Sequence, residues 1–218
     1  LRSILRSAFE RCSALTELAV PDGVESIAYY AFCGCTGLQS VRLPSSIRTL
    51  GREILIDVTG KLYVNCRIPD TDYFTYAPFY NSKLSEVVIE EGVDSIGSYA
   101  FIGSSQLTSL HLPSTLRHIG REAFSDCSAL TELTLPSGLT SIGDQAFRNN
   151  MGVTQMDIPQ GVTEIGNGAF EGCARLFEVE LPASVLFVGN RAFANCKTLC
   201  QLRLPVDLTV IGNSAFAG

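Results

Sequence analysis

Hydrophobic and polar residues follow one another along this chain on a fixed beat of 23 residues. In the stretch from Ala123 to Gln145, counted from the alanine, apolar side chains stand at place 2 (Phe124), 8 (Leu130), 11 (Leu133), 13 (Leu135), 17 (Leu139) and 20 (Ile142). The segment Leu130–Leu135 ends in apolar/polar alternation, which predicts a short half-buried strand. Pro136 follows at place 14. It fixes φ and lacks an N–H, so it ends the strand and turns the chain. Seven of the nine prolines hold this place: Pro21, Pro44, Pro113, Pro136, Pro159, Pro182 and Pro205. Ile142-Gly143 marks a second corner, and what remains of the unit has room for one helical turn at most.

The beat recurs along the chain. Ala-Phe stands at 8–9, 31–32, 100–101, 123–124, 146–147, 169–170, 192–193 and 215–216. Ala31 and Ala100 are three whole periods apart. One unit cannot bury its own apolar face, so the period predicts stacked coils rather than a globule. Stacking aligns Phe9, Phe32, Phe101, Phe124, Phe147, Phe170, Phe193 and Phe216 as one spine, each buried ring contributing roughly 1.5–3 kcal/mol. At about 4.8 Å per coil, nine to ten coils form a rod on the order of 45 Å long. The unbroken register argues one array over 1–218, irregular at about 54–84. Both termini fall in mid-unit, so the stretch reads as a piece of a longer protein.

The repeated unit A-F-x-x-C-x-x-L-x-x-L-x-L-P-x-x-L-x-x-I-G resembles the BspA-like (treponemal-type) leucine-rich repeat. It differs from the commoner leucine-rich repeat, which carries Asn or Cys just after the strand. The segments Gly60–Cys66 and Val87–Val93 are also similar to an interruption found inside bacterial members. The resemblance implies a right-handed superhelical solenoid of short parallel strands. It also implies a surface or secreted microbial protein, of a family associated with adhesion to host matrix proteins and other cells.

Composition narrows the function. Hydrophobic residues make up 46% of the chain and charged ones 17%, as expected of a chain buried along its length. The net charge of −6, with no Lys/Arg cluster, argues against nucleic acid. No apolar run reaches membrane-spanning length. No catalytic constellation is visible: there is no Gly-rich phosphate loop and no H-E-x-x-H. His111 and His118 should fall on different faces. The chain therefore reads as non-catalytic, with no cofactor and no metal. Asp70-Thr71-Asp72 offers too few ligands for calcium.

The cysteines follow the beat as well. Cys12, Cys35, Cys127, Cys173 and Cys196 occupy place 5, with Ser104 and Asn150 in the same column. This predicts a ladder of small, buried, weakly polar groups beside backbone amides. Neighbouring coils bring pairs such as Cys12 and Cys35 close enough for a disulfide, but parallel side chains point alongside one another, so free thiols are expected.

Three surfaces are candidates for binding. Places 10 and 12 flank the strand leucines and face outward: Glu17, Arg42, Glu86, His111, Glu132, Asp157, Glu178, Glu180 and Arg203 make this face polar and acidic. In the irregular unit, Tyr63, Tyr73, Phe74, Tyr76 and Tyr80 either plug a packing gap or form a binding loop. Phe177, Leu186 and Phe187 put apolar side chains where other units carry polar ones, an oddity Val210 repeats one coil on. The reading is a protein-binding, adhesin-type segment at a microbial surface. A structural spacer that displays other domains and a carbohydrate-binding module are the alternatives.

Overall fold

The computed structural model describes residues 1–218, and the chain winds as a parallel β-solenoid. In chain order the first strands are β1 (Ser3–Ile4), β2 (Glu17–Ala19), β3 (Ser26–Ile27), β4 (Ser40–Leu43), β5 (Thr49–Leu50) and β6 (Lys61–Val64). Next come β7 (Glu86–Ile89), β8 (Ser95–Ile96), β9 (Ser109–His111), β10 (His118–Ile119), β11 (Ser141–Ile142) and β12 (Gln155–Asp157). The last are β13 (Glu164–Ile165), β14 (Glu178–Glu180), β15 (Phe187–Val188), β16 (Gln201–Arg203) and β17 (Val210–Ile211). Every pairing is parallel, and most join residues one period apart, such as Glu178↔Gln201 and Ile165↔Val188.

Each coil has three sides. The first face carries the longer strands, in the orders β2-β4-β6-β7-β9 and β12-β14-β16. The second carries two-residue strands, in the orders β1-β3-β5 and β8-β10-β11-β13-β15-β17. The third is the Ala-Phe side, where the Phe N–H donates to the alanine carbonyl of the next coil, at 2.8 Å for Phe101 to Ala123 and for Phe147 to Ala169. Between the two sheets the proline acts as expected. In all seven turns the proline carbonyl accepts the N–H three residues on, as in Leu139 to Pro136 at 3.0 Å.

The regular coils contain no helix at all. Two residues per coil sit in the left-handed region, just before the alanine (Tyr99, φ 64°; Gln145, φ 56°) and at place 4 (Asp126, φ 62°; Asn149, φ 59°). A left-handed residue on each side of Ala-Phe breaks any helical run, which makes the third side a chain of tight turns. The only helical turn is a 3-10 turn over Phe74–Tyr76.

A single hydrophobic core of 58 buried residues runs along the axis. From Phe79 to Phe216 the rings stack with centroids 4.7–5.6 Å apart. Phe9 and Phe32 form a separate stack at 5.4 Å. The expected single spine is therefore divided. In the coil between, Ile54 and Leu55 are fully buried in place of Ala-Phe, so aliphatic packing spans the gap between Phe32 and Phe79. Pro78 shifts Phe79 one place along without removing it from the stack.

The place-5 ladder uses carbonyls rather than amides. Cys35, Cys127, Cys173 and Cys196 each direct the thiol at the carbonyl of a Phe in the preceding coil, at 3.0–3.4 Å. Asn150 does the same to Phe124 at 2.8 Å, and Ser104 to Phe79 at 3.4 Å. Thiol, hydroxyl and amide interchange here because each supplies one short donor. All eight cysteines are free.

One expectation fails at its own type unit. The stretch 131–135, where the periodicity is clearest, forms no strand, although Leu133 and Leu135 remain buried. The first-face sheet divides there into five-stranded and three-stranded parts. The second sheet and the Phe stack run past this point unbroken. The coils thus stay in contact on two sides and part on the third.

Candidate functional site

The first face holds the predicted polar columns, and the register adds Lys61 and Tyr63 to them through the pairs Ser40↔Lys61 and Arg42↔Tyr63. In its five-stranded part every Asp, Glu, Lys and Arg of the polar columns except Glu17 is ion-paired. Lys61 pairs with Glu86 at 2.7 Å, Arg42 pairs with Glu90 and lies 4.4 Å from the Tyr63 ring, and His111 stands 3.8 Å from Glu86. Glu17 is exposed at the end strand β2. The divided sheet leaves a cleft of about 590 Å³ lined by residues that include Glu132, Asp157, Glu178 and Glu180. Of these four carboxylates only Glu180 is ion-paired, to Arg203 at 3.3 Å. His118 lies on the second face with Ser141, at 2.8 Å, so the two histidines do point to different sides.

The apolar oddities separate. Phe187 pairs with Val210 across β15 and β17 on the second face, beside exposed Leu186. Phe177 ends the turn leading into the first face, and both Phe177 and Phe187 are half-buried.

The irregular unit is resolved by register. Strand β6 arrives early: its Lys61 pairs with Ser40 across less than one period, and with Glu86 across more than one. Ile68 then bridges to Ile96, again across more than a full period. Ile68 therefore takes the place of Ile96 in its own coil, and Pro69 takes the place of Gly97, whose missing Cβ would collide with the Pro69 carbonyl. Asp70 takes the next place and accepts both the Ser98 N–H, at 2.9 Å, and the Ser98 hydroxyl, at 3.0 Å. Ala77 resumes the pattern. The whole segment 71–76 thus stands where a regular coil has a single residue.

This insertion carries the aromatics. Tyr73, Phe74 and Tyr76 are 64%, 45% and 52% exposed, whereas Tyr63 and Tyr80 are half-buried. The packing gap is filled by Ile54, Leu55 and Phe79, so the three loop rings are not plugs. Tyr73 and Tyr76 pack edge to face at 6.1 Å, and Phe74 leans on Tyr80 at 5.5 Å. Sequence reasoning found these residues but missed their neighbours. Arg6 lies 4.9 Å from the Tyr29 ring centre, and Arg52 lies 5.6 Å from Tyr29 and 5.8 Å from Tyr76. Arg6, Tyr29 and Arg52 share place 22 in three successive coils, a column that could have been read from the period.

The thiols offer no nucleophile on the buried ladder. Burial pushes Cys66 and Cys196 up to about 12, and Cys127 and Cys173 upward as well. No group of three or more His, Cys, Asp or Glu gathers at metal-holding distances, and no helix is long and apolar enough to cross a membrane.

The repeat pattern matches the BspA type leucine rich repeat region, in six copies, over residues 2–131, 73–199 and 140–218. No curated protein sequence matches the chain. Among solved structures, a leucine-rich repeat protein of T. pallidum is 29% identical, with 77% of this chain and 71% of that one covered at a TM-score of 0.62. A leucine rich cell surface protein from Faecalibacterium prausnitzii is 23% identical over 90% of this chain and 62% of that one, TM-score 0.56. A leucine-rich repeat protein from Eubacterium ventriosum shares the fold at 16% identity and a TM-score of 0.53, over 94% of this chain and 82% of that one. The match spans residues 2–218, and the chain belongs to the BspA-type leucine-rich repeat family.

Proposed function

We propose that this chain is a non-catalytic, adhesin-type binding segment of a microbial cell surface, which recognises proteins of a host or neighbouring cell. The family is in general a protein-interaction scaffold, and the similar protein from Faecalibacterium prausnitzii is described as a cell surface protein. The observation that carries the reading is the 71–76 insertion. A solenoid gains nothing in packing from a loop that presents three aromatic rings to water, whereas a contact surface gains large area at low entropy cost. The polar first face, including the carboxylates at 132, 157, 178 and 180, provides a second, weaker surface. A spacer would need neither feature.

The test is capture by the immobilised chain from extracellular-matrix and serum proteins, beside a variant with Tyr73, Phe74 and Tyr76 all changed to Ser. The expected result is one or a few captured proteins that the triple variant releases. No enrichment, or enrichment indifferent to the loop, would sink the reading and favour the spacer.

A further inference from the structure

Place 22 forms an edge down one corner of the solenoid, exposed at Arg6 and Tyr29 and half-buried at Arg52, which also lies 5.6 Å from the Tyr30 ring. In the first three coils it carries Arg6, Tyr29 and Arg52, and the insertion then lays Tyr76 against Arg52. The result is an alternating stack of guanidinium and phenol. An arginine beside a ring uses its planar face, and its N–H fork stays free at the edge. Neither Arg6 nor Arg52 forms an ion pair, although most charges on the first face do. Two nearby carboxylates face other groups. Glu53 lies beside the Tyr30 hydroxyl and raises its pKa, and Asp70 is held by Ser98. The edge therefore holds two unspent forks between exposed rings, two coils or about 10 Å apart at strand spacing.

Resting on the protein-binding reading above, we propose that the Arg6–Tyr29–Arg52–Tyr76 edge docks an extended acidic segment of a partner protein. In a segment extended as polyproline II, with three residues per turn and about 3.1 Å per residue, carboxylates three residues apart share one face at about 9 Å, which matches the separation of the two arginines. Each fork takes one carboxylate in the bidentate manner, and the Tyr29 ring receives the apolar side chain between them. The rest of the molecule suits the same partner poorly. Residues 77–218 hold 14 Asp and Glu against 8 Lys and Arg, while residues 1–76 hold 8 of each, so an acidic segment is steered toward the amino-terminal coils.

The experiment is fluorescence anisotropy of the purified chain with a short labelled peptide carrying two glutamates three positions apart and a leucine between them. Binding is expected to weaken as salt is raised, and to fall about tenfold or more in Arg52→Ala and nearly as far in Arg52→Lys, which keeps the charge and loses the fork. The peptide with glutamine for glutamate should not bind. An unchanged melting temperature verifies each variant, and Arg6→Ala serves should Arg52→Ala fail to fold. Absence of binding, equal binding of the glutamine peptide, or variants that bind as the parent does would each overturn the inference. So would binding of heparin but not of the peptide, which would assign the edge to an anionic glycan. Should a partner be captured through Tyr73, Phe74 and Tyr76 while the acidic peptide fails, the protein-binding reading stands and this inference alone falls.

Discussion

The same corner of the solenoid is built in two ways. Toward the carboxyl end, place 22 reads Asp144, Asn167, Asn190 and Asn213. The Asn167 N–H donates to Asp144 Oδ1 at 2.7 Å, the Asn190 N–H to Asn167 Oδ1 at 2.9 Å and the Asn213 N–H to Asn190 Oδ1 at 2.7 Å. The amide groups also reach back, at 3.2 Å for Asn167 and 3.1 Å for Asn190. Asp can begin such a ladder because a first rung needs only to accept, and Asn continues it because it both accepts and donates. Toward the amino end the column is Arg6, Tyr29 and Arg52, and no side chain takes the Tyr29 or Arg52 N–H. One backbone position thus serves the stack in one half and faces outward in the other. Polar side chains turned onto the next coil stabilise; cationic and aromatic ones turned to solvent are available to a partner.

The largest effect is expected from removing a ring of the spine beneath the carboxyl-terminal half. Phe147→Ala deletes a fully buried ring that stacks on Phe124 at 5.5 Å and on Phe170 at 5.6 Å. The expected loss is about 3–5 kcal/mol in chemical denaturation; a loss under about 1 kcal/mol would mean that the coils do not share one core.

A second test uses pH. The ordinary value for these thiols is 9.0, and the folded values of Cys66 and Cys196 are raised to about 12, with Cys127 and Cys173 raised too. A raised folded pKa gives stability that is complete below the unfolded value and is lost as pH climbs toward the folded one. Stability should therefore fall between about pH 9 and pH 12, at up to about 1.4 kcal/mol per pH unit for each buried thiol. Three of the four lie in the carboxyl-terminal half. Replacing Cys127, Cys173 and Cys196 with Ser, which keeps the donor and removes the titration, should flatten that fall; an unchanged slope would show that other groups drive it.

The corner itself separates the halves. Asn190→Ala should cost about 1 kcal/mol, because it strands the Asn213 N–H and loses the bond to Asn167. Arg52→Ala should stay within about 0.5 kcal/mol. Equal costs in urea denaturation would erase the distinction between the two edges. The smallest expected effect is kinetic. Reversing Glu132, Glu178 and Glu180 to Lys should slow association with a captured basic partner several-fold at low salt and hardly at all at high salt. An unchanged on-rate would remove the first-face cleft from the binding surface.

Much of this architecture was legible in the order of residues. The period placed the phenylalanines along one side, the prolines at one turn and the cysteines in one column, because each is a local demand repeated in register. The irregular unit was legible only as a disturbance. Ile54-Leu55 and Ala77-Pro78-Phe79 can be seen to break the motif. The early strand β6 and the late return at Ala77 depend instead on which main-chain groups meet, across intervals first shorter and then longer than the period. The stretch 131–135 makes the opposite point. Its pattern is that of a strand, and it still lacks partners, since a strand in a parallel stack exists only through the coils on either side.

The sequence by itself determined the solenoid, its period, its buried residues and the position of a cluster of aromatics, because burial in a repeat follows from side-chain chemistry one unit at a time. Only the tertiary structure decided that Pro69 and Asp70 keep the corner while residues 71–76 leave it, that Arg6 and Arg52 lie on tyrosine rings, and that the first face opens beside Glu132. Those outcomes turn on hydrogen-bond register between coils and on the stacking of side chains from neighbouring coils, which no single unit of the sequence contains.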